Sequence, residues 1–280
     1  MSNKTKYIVR GGLWVWLFLM AISLQAQEGH RAFQFKQGEE YQTEMLTNSS
    51  AVLKRGNQLL NINSVTTATK TYKVTSTNDK EYSFNVEIKK MDLVLDALGQ
   101  KLIYNSETGF DSTSTILKAL NFMIKKPINL VINKYGIIQS STDYKAELAT
   151  DTLVSFAGLQ PEVFEKQTLF SMLADITYDK SLIKGFSWAD SVVIDKQKLK
   201  TNFTIEEITE NNTIVKFTNS IVGKLISSNT NGTYVIDNKT GLITEKLLYS
   251  ISVGYQISAG NTVYAVSRST SVTERTKKIK

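Results

Sequence analysis

The sequence predicts a mainly β protein of α+β type: a long curved antiparallel sheet or half-barrel, with about three helices from the middle of the chain packed on its concave face. Three observations predict it. Apolar and polar residues alternate over long runs on both sides of the middle of the chain. Only the stretch 111–179 carries the three-to-four spacing of helices. The alternating run 242–257 would extend about 50 Å at ~3.3 Å per residue, and strands of that length twist and coil.

The first half supplies two strands and then a third. Between residues 33 and 76 the chain is polar and free of proline, and Met45, Val52, Leu59, Ile62, Val65, Tyr72 and Val74 recur too sparsely for a helix. Arg55-Gly56-Asn57 and Asn78-Asp79-Lys80 are turns. Tyr82, Phe84, Val86 and Ile88 then alternate with polar residues, and the apolar phase slips by one before Met91, Leu93 and Leu95. Because strand side chains repeat every two residues, the slip predicts a β-bulge near Lys89-Lys90. Leu98-Gly99-Gln100 turns the chain into a short return strand, 102–104.

In the helical stretch, Asp111 and Ser112 cap a first helix carrying Ile116, Leu120 and Met123, which Pro127 ends. A hairpin follows, 128–132 and 137–138 around Lys134-Tyr135-Gly136; two strands alone are marginal in water, so it must join the larger sheet. A second helix is predicted over 142–157. A third opens at Pro161 and places Leu169, Phe170, Leu173 and Ile176 at helical offsets.

Beyond Gly185-Phe186-Ser187-Trp188 the alternation resumes around Phe203 and Ile205, around Val215 and Phe217, and over 233–236. The loop 237–241 leads into the longest strand, whose one face carries Ile243, Leu247, Tyr249, Ile251, Val253, Tyr255 and Ile257. A last strand starts at Tyr264. A gap between this sheet and its helical cover would form a pocket, with Phe203, Ile205, Tyr249, Ile251, Val253 and Tyr255 as the expected wall.

The N-terminus reads as a targeting segment. Lys4, Lys6 and Arg10 precede an apolar run, 13–24, and the small Ala26 precedes Gln27, which is the order of a secretory signal peptide cut between Ala26 and Gln27. The run falls short of the ~20 residues that span a bilayer, and no cysteine follows for acylation. The expectation is therefore a signal peptide, 1–26, and one β-rich domain, 27–280, with the helical insert at about 111–179. The processed chain would be periplasmic or secreted, with no permanent membrane anchor. Of 33 basic residues three lie before residue 27, so the remaining 30 against 26 acidic ones leave a net charge of +4 rather than +7.

Composition narrows the chemistry. There is no cysteine, and the single histidine, His30, sits beside the proposed cleavage point. Ser-His-Asp and Cys-His catalysis and the usual zinc sites are excluded on that ground. No phosphate-cradling glycine motif occurs, and the terminal lysines 277–280 lack the interleaved aromatics of a nucleic-acid surface. Asp92 with Asp96, and Glu206 with Glu207, read as exposed strand residues rather than an acid–base pair, and the 237–241 loop has too few ligands for calcium. No enzyme activity, cofactor, metal or nucleic acid is expected.

The opening Phe33-Gln34-Phe35-Lys36-Gln37-Gly38, the Phe110-Asp111-Ser112 end of the 91–112 segment, the 128–138 segment with Gly136, Gly185-Phe186-Ser187-Trp188 and the 237–241 hairpin resemble a family of uncharacterised exported proteins of Bacteroidota, a domain of unknown function. At the level of fold the architecture is similar to lipoprotein-carrier half-barrels of the bacterial envelope, whose curved sheet and helices enclose an acyl chain. The arginine inside the carrier cavity has no counterpart here. What the resemblance implies is a noncatalytic exported envelope protein with a hydrophobic or lipid-like ligand held between sheet and helices. The alternative is a structural module of the envelope that binds protein or glycan and no small molecule.

Overall fold

The structure is a computed structural model that describes residues 31–97, 99–108, 114–124, 126–142, 164–174, 176, 182–194, 197–222, 225–257 and 263–280. Twelve strands form a single antiparallel sheet: β1 (Glu40–Arg55), β2 (Gln58–Thr77), β3 (Glu81–Ala97), β4 (Gln100–Asn105), β5 (Ile128–Asn133), β6 (Ile138–Ser141), β7 (Ser187–Ile194), β8 (Gln197–Ile208), β9 (Asn212–Val222), β10 (Ile226–Asp237), β11 (Ile243–Ile257) and β12 (Val263–Lys278). Their order is β6-β5-β3-β2-β1-β12-β11-β10-β9-β8-β7, with β4 paired to β3. Pairing of β1 with β12 joins the first and last strands in the middle of the sheet.

Several expectations hold in detail. Gly56 takes φ 57° in a two-residue turn, with Arg55 opposite Gln58. The Asn78 side chain closes the next turn by accepting from the Lys80 and Glu81 backbone N–H groups. In the β2–β3 ladder Thr69 faces Lys90 and Lys70 faces Ile88, so Lys89 is the bulge residue that returns Met91, Leu93 and Leu95 to the buried face. The β5–β6 hairpin joins the sheet through β3.

The three-helix cover is not there. Among the described residues there is one helix, α1 (Thr115–Met123), nine residues long. Ser114 caps it, its side chain accepting from the Leu117 N–H at 3.3 Å, and Leu117 and Leu120 join the core beside Met91, Leu93 and Leu95. The predicted second helix, 142–157, lies almost wholly outside the described residues. The described part of the predicted third is instead a strap of two turns and two isolated bridges. Gln167 has φ 70°, Leu169 bridges to Ile137, and Leu173 bridges to Leu242. Its N–H groups reach across to other strands, with Phe170 N–H donating to the Gly136 carbonyl and Ala174 N–H to the Gly241 carbonyl. Apolar residues at offsets of one, four and seven fit a helix, but these tertiary partners outweigh the local propensity.

The strap shows how strongly the sheet bends. Phe33 lies between two glycines with positive φ, Gly136 in the β5–β6 turn and Gly241 before β11; a Cβ on either would sit 3.0 and 2.7 Å from its ring. In a flat sheet at least five strand spacings, about 24 Å, would separate those turns. One benzene ring spans them here, so the sheet curls, unclosed, around the face that carries the core. We call this the inner face. At the curled end Phe35 packs edge-on to Tyr41, Tyr82 and Phe84, while Phe170 meets Tyr72 and Phe84. Arg31 ties the same end together by donating to the carbonyls of Ile176, Asn238 and Lys239.

A second core lies under α1, and Tyr104 is buried in it with no hydrogen-bond partner for its hydroxyl among the described residues; burial pushes its pKa up. An orphaned hydroxyl costs its desolvation. Tyr104→Phe is therefore expected to stabilise the fold by about 1 kcal/mol, read as a raised urea midpoint.

Candidate functional site

Each face of the sheet carries an unusual arrangement of side chains. On the inner face, β7 to β10 line up a row of rings. Phe186 and Trp188 stand 5.9 Å apart, Trp188 and Phe203 are stacked at 5.1 Å, Phe203 and Phe217 are 6.3 Å apart, and Phe217 stacks on Tyr234 at 4.5 Å. Trp188, Phe203 and Phe217 are successive register partners, and the next partner is Gly232. A Cβ at Gly232 would come within 2.8 Å of the Phe217 ring and 2.1 Å of the Leu247 carbonyl oxygen, so glycine lets Phe217 lean across to Tyr234.

The row continues in charge. Lys246 Nζ lies 5.7 Å from the Tyr234 ring and 3.1 Å from Glu274, at 15% and 21% side-chain exposure for the ion pair. Burial raises the Tyr234 phenol, and Lys246 offsets part of the rise. These rings present their faces to one another and the charges pair, so the row is packing rather than a platform for a ligand.

Where the row meets the strap there is a cleft of about 250 Å³, open mouth included, lined in part by Lys246, Glu274, Tyr72 and the hydrogen-bonded hydroxyls of Thr43 and Thr276, 2.8 Å apart. Ligand pockets run to roughly 300–1,000 Å³ and are mostly apolar. The enclosed part of this cleft is only about 10 Å³, no more than room for one water, and its lining is polar, so it does not enclose an acyl chain.

The outer face carries the opposite pattern. Leu247, Tyr249, Ile251, Val253 and Tyr255 of β11 project from it in an unbroken rib, each 44–56% exposed. Their partners on β12 are Thr273, Ser271, Ser269, Ser267 and Ala265, and the first four face Thr233, Asn231, Asn229 and Ser227 on β10. The rib is thus a ridge of large apolar side chains between furrows floored by small or uncharged ones. At ~3.4 Å per residue it is about 27 Å long. The surrounding field is free of charge: no Asp, Glu, Lys or Arg occurs in 46–53, 57–69, 217–222, 225–236, 247–257 or 263–267. An exposed apolar strip of this kind, on the order of 500 Å², lies at the upper end of what monomer surfaces carry.

The six residues expected to share one wall fall on two faces. Phe203 and Ile205 are on the inner face, where Phe203 belongs to the ring row and Ile205 is buried against Val215. Tyr249, Ile251, Val253 and Tyr255 are on the outer face, in the rib. The carboxylates are not brought together either. Asp92 lies 4.0 Å from Lys90, Asp96 faces Lys101 in register, and Glu206 and Glu207 sit at a β8 bulge seven strands from β3 in the sheet order. Ala26, Gln27 and His30 lie outside the described residues. No group of three or more potential metal ligands occurs among the described residues, and no helix among them is long and apolar enough to cross a membrane.

No known family model matches the chain, and no curated protein matches it. Among solved structures, lipovitellin, a structure concerned with lipid–protein interactions, matches with TM-score 0.50 and 12% identity over 88% of this chain and 26% of that one. This chain therefore spans about a quarter of the lipovitellin chain's length. Two bacterial proteins align over similar stretches of this chain. One is an outer membrane channel from Pseudomonas putida F1, with TM-score 0.21, 6% identity and coverage of 88% and 98%. The other is OccK5 of Pseudomonas aeruginosa, with TM-score 0.22, 5% identity and coverage of 89% and 100%. Scores that low carry no likeness of fold. What the comparisons establish is that this sheet shares its fold with part of lipovitellin.

Proposed function

We propose that this is an exported, noncatalytic protein of the cell envelope that holds a hydrophobic, lipid-like molecule along the outer-face rib of β11. The rib is the observation that carries this reading. Five large apolar side chains stand half in water in one unbroken file; other apolar residues of the outer face, Leu46, Val52, Val65 and Val94 among them, are also exposed, but no other strand lines up five of them. Covering the exposed half of each would contribute about 1 kcal/mol, enough together for a reversible hold. The furrows beside the rib give an alkyl chain a course parallel to the strand. A charge-free surround removes the cost of desolvating ions under it. The fold shared with part of lipovitellin and the sequence order of charged residues, apolar run and Ala26 at the N-terminus, which reads as a signal peptide, support the same reading.

A membrane-spanning barrel is disfavoured by the outer face itself. Such barrels present an apolar band on every strand, whereas β10 and β12 show Ser, Thr and Asn beside the rib. The test is native mass spectrometry on protein purified without detergent, before and after solvent extraction. Extractable adducts of lipid mass are expected. Ligand-free protein that also takes up no added phospholipid would count against the proposal.

A further inference from the structure

We infer that the end of the sheet that carries the β1–β2 turn, the last residue of β9 and the residues beside the start of β10 and β12 seats on an anionic lipid bilayer. The register places Leu59, Lys54, Ala265 and Tyr255 side by side across four strands at this end, and the Tyr255 N–H donates to the Leu225 carbonyl, which closes the line. The apolar tips are unusually bare: Val222 is 81% exposed, Leu59 61%, Leu225 53% and Val263 52%. Lys54 and Arg55 stand among them at the β1–β2 turn, and neither forms an ion pair with a described residue. Lys101 also lies at this end, but Asp96 faces it across the ladder.

The opposite end is built differently. It mixes charges of both signs, several of them paired, as in Glu39–Lys278, Glu44–Lys277 and Glu245–Arg275. One end therefore offers bare aliphatic tips beside two basic residues with no ion pair among the described residues, and the other offers charges of both signs, several of them paired. Aliphatic tips enter the boundary between headgroups and acyl chains, and basic residues beside them are drawn to a negative surface. A second copy of the chain fits this end less well, because a two-fold contact would set Lys54 and Arg55 against themselves. The surface goes beyond the rib: Leu59, Lys54, Arg55, Val222, Leu225 and Val263 are not part of it, so either can fail while the other stands.

The test is flotation of the protein, recovered from an exporting host with its N-terminus read by mass spectrometry, on two kinds of vesicle. Binding to mixed phosphatidylglycerol–phosphatidylcholine vesicles is expected, weakening with salt, and binding to pure phosphatidylcholine vesicles is expected to be much weaker. Lys54→Glu with Arg55→Glu should reduce binding at least about tenfold. Val222→Asn with Leu225→Asn should also reduce it, while Lys80→Glu with Lys239→Glu at the far end should leave it unchanged. Circular dichroism reports whether each variant keeps its strands. Equal binding to both vesicle types, no binding to either, or an equal loss in the far-end variant would overturn the inference.

Discussion

Phe170→Ala is expected to destabilise the fold by about 3–5 kcal/mol, as large-to-small changes at fully buried aromatics do. The side chain is 0% exposed, and its ring lies 5.7 Å from Tyr72, 5.3 Å from Phe84 and 6.0 Å from Phe164. It also sits between the two bridges that stitch the β5–β6 hairpin to the residue before β11, next to the first of them. Removing it opens a cavity and loosens a segment that, with residues 31–33, links these distant strands from above the inner face. Urea unfolding at constant m-value is the check. A loss under about 1 kcal/mol would mean that the strap merely lies on a sheet that curls without it.

The second large effect is on binding. Replacing Tyr249, Ile251 and Val253 together by Thr removes three rib side chains while keeping residues that suit a strand, and it extends the composition of the flanking strands across β11. At about 1 kcal/mol each, the loss should weaken binding of a fluorescent fatty-acid analogue by about a hundredfold. Folded stability should change little, because each side chain already stands half in water. Binding that survives the triple substitution would move the ligand elsewhere.

Strands were legible in the sequence because their information is local. Alternation marks β3 and β11, a one-residue slip marks the bulge at Lys89, and glycines with positive φ mark the turns at Gly56 and Gly136. Which face an apolar stripe occupies is not local. Register propagated from Tyr41, Ala51 and Leu53 through β12 sets Lys246, Leu248, Ser250 and Ser252 on the inner face of β11 and turns the apolar residues of the same strand outward. Periodicity alone reads that stripe as core. The ring row escaped for the same reason: Trp188, Phe203, Phe217 and Tyr234 come from four strands and align only once the ladder is known. Apolar spacing in the strap fits a helix, while the bridges to Ile137 and Leu242 depend on residues far along the chain.

The most direct measurement of the central claim uses the absence of cysteine from the chain. Single cysteines placed at Ile251, on the rib, and at Leu248, on the inner face, can each carry an environment-sensitive fluorophore. On addition of phospholipid the account predicts a blue shift from position 251 and none from position 248. A shift from 248 alone, or from neither position, would contradict it.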